Sequence, residues 1–259
     1  MNTSSQAMGP ASGSRDALRF APFHKADPIF FPALLAWIWI GILAGFVPDM
    51  IAHVAQHRPA FLWVVHVHGL VFVAWLALLT VQITLIRTGN VALHRRTGAL
   101  GAYWAPVLVI VGLVTSVMVD RSFFGTRRWD PQFLSVQLSD LVLFSILTAS
   151  ALVLRRDAAA HKRLMLLGTV ALANAGFARW WDPTLAHWLG AGYLSELLQD
   201  YSSDFLIILV MLLYDTLTRG RPNRMLVRGA ALIVLGETVA VYLYFNPGWI
   251  ALSDRLLRP

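Results

Sequence analysis

Seven stretches of this chain are apolar, all but a short sixth one over roughly the twenty residues that a helix needs to cross a bilayer, and nothing else in the sequence constrains its fold as strongly. They lie at about residues 29–47, 61–86, 98–119, 133–154, 162–180, 204–217 and 226–245. The first stops at Pro48-Asp49, and Asn246-Pro247-Gly248 ends the seventh. Composition agrees. Charged residues make up 14% of the 259 and hydrophobic residues 57%, where a soluble domain carries about a quarter charged residues. The expected fold class is all-α: a transmembrane seven-helix bundle filling residues 29–246 as a single domain. Residues 1–28 hold no apolar core of the signal-peptide kind and read as a disordered cytoplasmic tail. Residues 247–259 read as a short external, amphipathic C-terminal tail. The sequence has no cysteine, which excludes disulfides, thiolate metal sites, iron–sulfur clusters and cysteine nucleophiles.

The formal charge of +7 is a topology signal here and not a nucleic-acid one. Arg15, Arg19, Lys25, Arg87, Arg95, Arg96, Arg155, Arg156, Lys162, Arg163, Arg219, Arg221, Arg224 and Arg228 fall on one side, 14 of the 21 basic residues. The positive-inside rule then places the N-terminus in the cytoplasm of a bacterial inner membrane and the C-terminus outside. Trp63, Trp104, Trp129, Trp180, Trp181, Trp188 and Trp249 fall near expected helix ends, as an interfacial belt does. The expected partner is the lipid bilayer.

The chain also repeats. His94-Arg95-Arg96 precedes Gly101 at the spacing by which His161-Lys162-Arg163 precedes Gly168. Val67-His68-Gly69-Leu70-Val71-Phe72 aligns with Ser139-Asp140-Leu141-Val142-Leu143-Phe144, and a third copy begins Ser203-Asp204-Phe205-Leu206. The spacing suggests three similar helical hairpins plus one N-terminal helix, an arrangement that packs symmetrically around a central site.

These phrases, His66-Val67-His68-Gly69, Leu93-His94-Arg95-Arg96 and His161-Lys162-Arg163-Leu164-Met165-Leu166-Leu167, together with Tyr214-Asp215, span roughly residues 60 to 222. The chain resembles in them a widespread, functionally uncharacterised family of bacterial multi-pass membrane proteins. The resemblance implies a multi-helix membrane protein and no particular activity.

Ionisable residues at membrane depth are costly and are functional candidates by default. If the repeat holds, His68, Asp140 and Asp204 sit at similar depth on three helices. Such a set suits a divalent metal (Zn, Mn or Fe) or a proton. His66, Arg179 and Glu237 stand as supporting residues, although His66 and His68 diverge by about 200° on a regular helix. A structural reading competes: Arg179 pairs with Asp140 or Asp204, and polar groups only hold the helices together. His53 and His57 are either further ligands or solvated. Glu237, near the middle of the last span, pairs with Asn174, Gln82 or a hydroxyl, or relays protons. His94 and His161 at two helix starts suit the axial ligands of a b-type haem in an electron-transfer protein, or cap loops. Asp215 is expected to pair with Arg219 one turn on. Residues 182–203 read as a short interfacial helix lidding whatever lies below. No Walker loop, dinucleotide fingerprint, nucleophile elbow or His-Glu-x-x-His is present.

Overall fold

Proline and short polar residues set the helix boundaries. A computed structural model describes residues 20–259, the side chains of 182 and 183 excepted. Its helices are α1 (Asp27–Ala55), α2 (Trp63–Arg87), α3 (Val91–Ser122), α4 (Leu134–Val153), α5 (Ala158–Leu189), α6 (Tyr193–Arg219), α7 (Arg224–Tyr244) and α8 (Pro247–Leu257). A 3₁₀ turn, Pro131–Phe133, leads into α4. The side chains of Asn90, Asp157, Asn223 and Asn246 accept backbone N–H groups at the starts of α3, α5, α7 and α8. Each satisfies donors that the first turn leaves open. Gly220, at φ 72°, closes α6 in the left-handed conformation that glycine adopts without strain.

Several boundaries differ from expectation. Helix α1 does not stop at Pro48; it carries that proline inside and runs on to Ala55. A proline removes one intrahelical hydrogen bond without forbidding the next turn. The segment 182–203 is no separate interfacial helix, because α5 continues to Leu189 and α6 already begins at Tyr193. The amphipathic stretch after Asn246 is the helix α8. Its Trp249 indole donates to the Gln132 carbonyl at 3.0 Å, and Trp129 donates to Asp254 at 3.2 Å.

Among the described residues, six helices are long and apolar enough to cross a membrane: α1, α2, α3, α4 with its leading turn, α6 and α7. Their outward faces stay apolar, with Ile40, Leu70, Ile110, Val142, Leu213 and Leu235 all exposed. Exposed apolar surface on this scale belongs against lipid. Helix α5, which holds the expected span at 162–180, is not among the six. It packs against α1, α4, α6 and α7. A helix walled by other helices can hold Arg163, Thr169 and Asn174, all buried, where a lipid-facing helix cannot. Its crossing with α1 is close: a Cβ on Gly45 would meet the Gly176 carbonyl oxygen at 2.0 Å, and one on Gly41 the Phe177 ring at 2.2 Å. Only glycine permits that approach.

Helices α1, α3, α5 and α7 begin at one end of the bundle, the basic end. There Arg163 Nε donates to Asp215 Oδ2 at 2.8 Å, and its Nη2 bonds the other carboxylate oxygen; both residues are buried. The backbone N–H of Asn223 adds a bond to Asp215 at 3.0 Å. Arg219 forms the expected pair with Asp215, one turn apart, at 3.8 Å, and it also serves Asp27, reaching both carboxylate oxygens at 2.8 Å. Lys162 donates to Asp27 at 2.6 Å and Tyr214 at 2.5 Å.

These contacts overturn part of the expected disordered tail. Lys162 and Arg219 donate to the carbonyls of Pro22 and Ala21, and the Phe20 ring lies under the guanidinium groups of Arg163 and Arg219. Residues 1–19 of that tail lie outside the described residues.

Candidate functional site

Glu196, Asp200 and Asp204 follow one another at four-residue steps and so share a face of α6. Along that face the chain passes from half-buried Glu196 and Asp200 to Asp204, which is 0% exposed. There it meets Glu237 of α7, also 0% exposed. The two carboxyl groups lie within hydrogen-bond reach of each other. Asp140 of α4 joins them electrostatically and accepts a bond from Asn174 of α5 at 3.0 Å. Ser203 donates to Asp204 Oδ1 at 3.0 Å. Tyr201, fully buried, feels all four of Asp140, Asp200, Asp204 and Glu237, yet its hydroxyl has no hydrogen-bond partner among the described residues.

The electrostatics of this site are one-sided. Among the described residues, no ion pair joins a Lys or Arg to Asp140, Asp204 or Glu237. Asp204 Oδ2 and both oxygens of Glu237 have no donor among the described residues. Two carboxylates about 4 Å apart repel by about 4 kcal/mol at an effective dielectric constant near 20. Buried carboxyl groups within hydrogen-bond reach of each other are held together when a proton lies between them. Apolar residues close the site on both sides. Toward the basic end lie Ile207, Ile208 and Met211, in one core with Leu147, Leu167 and Ile233. Toward the opposite end, Val136 and Val241 pack with Tyr201, flanked by Phe133 and Leu197.

The structure divides the candidates. Asp140, Asp204 and Glu237 come together. His68 does not join them: it stacks on Phe72 at 4.1 Å, and the charged group acting on it is Arg179. Among the described residues, no group of three or more His, Asp or Glu side chains is placed to hold a metal ion. The set of His68, Asp140 and Asp204 is therefore not preassembled as a metal centre. The cause is the packing, since α2 lies mainly on α3 and α1 while the acids sit among α4, α6 and α7.

The expected pairing of Arg179 with Asp140 or Asp204 is also absent. Arg179 donates to its own helix at the Ala175 carbonyl (2.6 Å), lies over the Phe46 ring and feels Asp49. His66 is exposed. His53 bonds the Pro59 carbonyl at 2.9 Å and stacks on Phe61. Gln82 is spent on Thr97 and Asn174 on Asp140, so neither is the partner of Glu237. Trp104 sits inside α3, donating to the Val71 carbonyl at 3.0 Å.

His94 and His161 do meet, with ring centroids 6.4 Å apart and planes at 81°. His161 Nδ1 is engaged with the Ala151 carbonyl in the last turn of α4 at 2.9 Å.

Sequence reasoning passed over Asp200 and Tyr201 because the aromatic, acidic stretch before Ser203 reads as a surface lid. The four-residue spacing of its acids was the signal that α6 begins earlier. No protein-family model matches this chain, and neither a curated protein nor a solved structure does.

Proposed function

We propose that this is a bacterial inner-membrane protein whose seven long helices all cross the bilayer, and that its activity turns on a proton held between Asp204 and Glu237. We place it, on its sequence phrases alone, with the bacterial multi-pass family that they resemble. The excess of Lys and Arg at the basic end supports a cytoplasmic N-terminus. The acidic pair then lies in the half of the bundle nearer the outside.

One observation carries the reading: two fully buried carboxyl groups from neighbouring helices face each other with no Lys or Arg paired to them among the described residues. Loss of the shared proton leaves two like charges across the contact between α6 and α7. Their repulsion pushes the helices apart, and rebinding draws them together. Protonation is thus coupled to helix packing, which is the coupling that proton-driven movement of a solute requires. We read His94 and His161 as a contact between helix ends.

Infrared spectroscopy of the purified protein in lipid, followed through a pH titration, tests the proposal. The expected result is a carbonyl band of a protonated carboxyl group that titrates in the wild type and is lost or displaced in both Glu237→Gln and Asp204→Asn. A wild-type spectrum without any band that these two substitutions remove would sink it.

A further inference from the structure

We infer that the proton of the Asp204–Glu237 pair exchanges with the water at the end of the bundle opposite the basic end, and that the Tyr201 hydroxyl passes it through the apolar layer. The inference rests on the proton reading above.

The two directions out of the site are built differently. From Asp204 toward the opposite end, α6 offers Asp200 and then Glu196, each about 6 Å further along the axis and on the same face. Both are partly exposed. Toward the basic end, the next acid on α6 is Asp215, eleven residues or about 16 Å away. Buried Ile207, Ile208 and Met211 fill that interval within the main core. Asp215 is itself held by Arg163, so it is no station for a mobile proton.

Tyr201 stands between surface and pair. It follows Asp200 by one residue and precedes Asp204 by three, which puts it beside Asp204 on the helix. Its ring belongs to the apolar layer with Val136 and Val241, while its hydroxyl feels every acid of the site: Asp140 from α4, Asp200 and Asp204 from α6, and Glu237 from α7. From α5 the neighbour is the neutral Asn174. A buried hydroxyl without a partner is costly unless something visits it. A phenol can both accept and donate. In the transfer, the Asp200 carboxyl gives its proton to Tyr201 Oη as the original O–H proton moves to the ionised pair. Asp200 ends as a carboxylate, the pair ends sharing one proton, and Tyr201 is neutral before and after.

The test uses sealed vesicles. The chain lacks cysteine, so a single Ala251→Cys on the exposed face of α8 reports orientation through a membrane-impermeant thiol reagent. The pH is then stepped on one side only while the carboxyl band is followed. A step on the α8 side is expected to change the band, and a step on the basic side to leave it unchanged. Tyr201→Phe, which keeps the ring, is expected to slow the response by about tenfold or more with the final band unaltered. A response to the basic-side step, or a Tyr201→Phe rate equal to wild type, would overturn the inference and leave the proton reading standing. A wild type with no titrating band would remove both.

Discussion

At the basic end, Asp27 and Asp215 face Lys162, Arg163 and Arg219, whereas near the opposite end Asp140, Asp204 and Glu237 face one another. Both groups are buried and both tie helices together. The first satisfies its charges within the protein: Asp215 has a guanidinium and a backbone N–H, and Asp27 has an ammonium, a guanidinium and a phenol. The second leaves acceptors without donors. A closed ion network fixes a structure and has little freedom to respond to its surroundings. An acid cluster short of donors is completed from outside, and it changes state when the supply of protons changes.

The largest effect should come from opening the closed network. Arg163→Ala strands the Asp215 carboxylate in a site from which water is excluded, and loss of one partner of a buried pair costs about 3–5 kcal/mol. Thermal unfolding in detergent should show a large fall or a failure to accumulate folded protein. The paired change Arg163→Met with Asp215→Leu removes both charges and should recover much of the loss. If Arg163→Ala melts with the wild type, the basic end is not the fixed half of this comparison.

The same kind of substitution at the other cluster should behave differently. Glu237→Gln supplies an amide donor to Asp204 where the wild type needs a proton. Its stability at neutral pH should lie within about 1 kcal/mol of wild type, or above it. At the same time the protein should lose the proton-dependent carboxyl band. A drop as large as that of Arg163→Ala would show that Glu237 serves as a structural anchor and would erase the distinction between the two clusters.

How far these clusters could be read in advance differs for the same physical reason. Hydropathy located the helices, because lipid-facing surface must be apolar along its whole length. It misjudged their ends, as at Pro48 and Tyr193, because a proline or an acid inside a span is tolerated wherever neighbouring helices serve it. Asp140, Asp204 and Glu237 were legible as costly residues at depth. Their association was not, since the aligned phrases suggested His68 as the third member, and only packing separates α2 from the acids. The pairing of Arg163 with Asp215, 52 residues apart, leaves no local mark; the i,i+4 neighbour Arg219 was the legible partner, and it pairs with Asp215 at 3.8 Å while also serving Asp27.

Asp130 offers an intermediate case outside the spans, with a donor but no cation in an ion pair, and the smallest expected effect. It precedes the turn into α4, and Tyr244 donates to its Oδ2 at 3.2 Å while Oδ1 has no partner. Burial raises its pKa above the usual 3.8, and the Tyr244 bond pulls it partway back. The folded state therefore holds this proton at pH values where the unfolded chain has released it. Below the unfolded value both states are protonated and the group contributes nothing. Stability falls as the pH rises from there through the folded value, and above that the cost is complete. With the carboxyl partly exposed and screened, the change should stay well under about 1 kcal/mol. Asp130→Asn should flatten this part of the stability–pH curve and gain on the wild type as pH rises. Tyr244→Phe, by removing the opposing bond, should steepen it. Unfolding curves measured across mildly acidic pH for the three proteins check the order. A wild-type stability that rose through the window where Asp130→Asn stayed flat would mean that Asp130 is stabilised as a carboxylate, and that the donor-poor character of this end stops short of its surface.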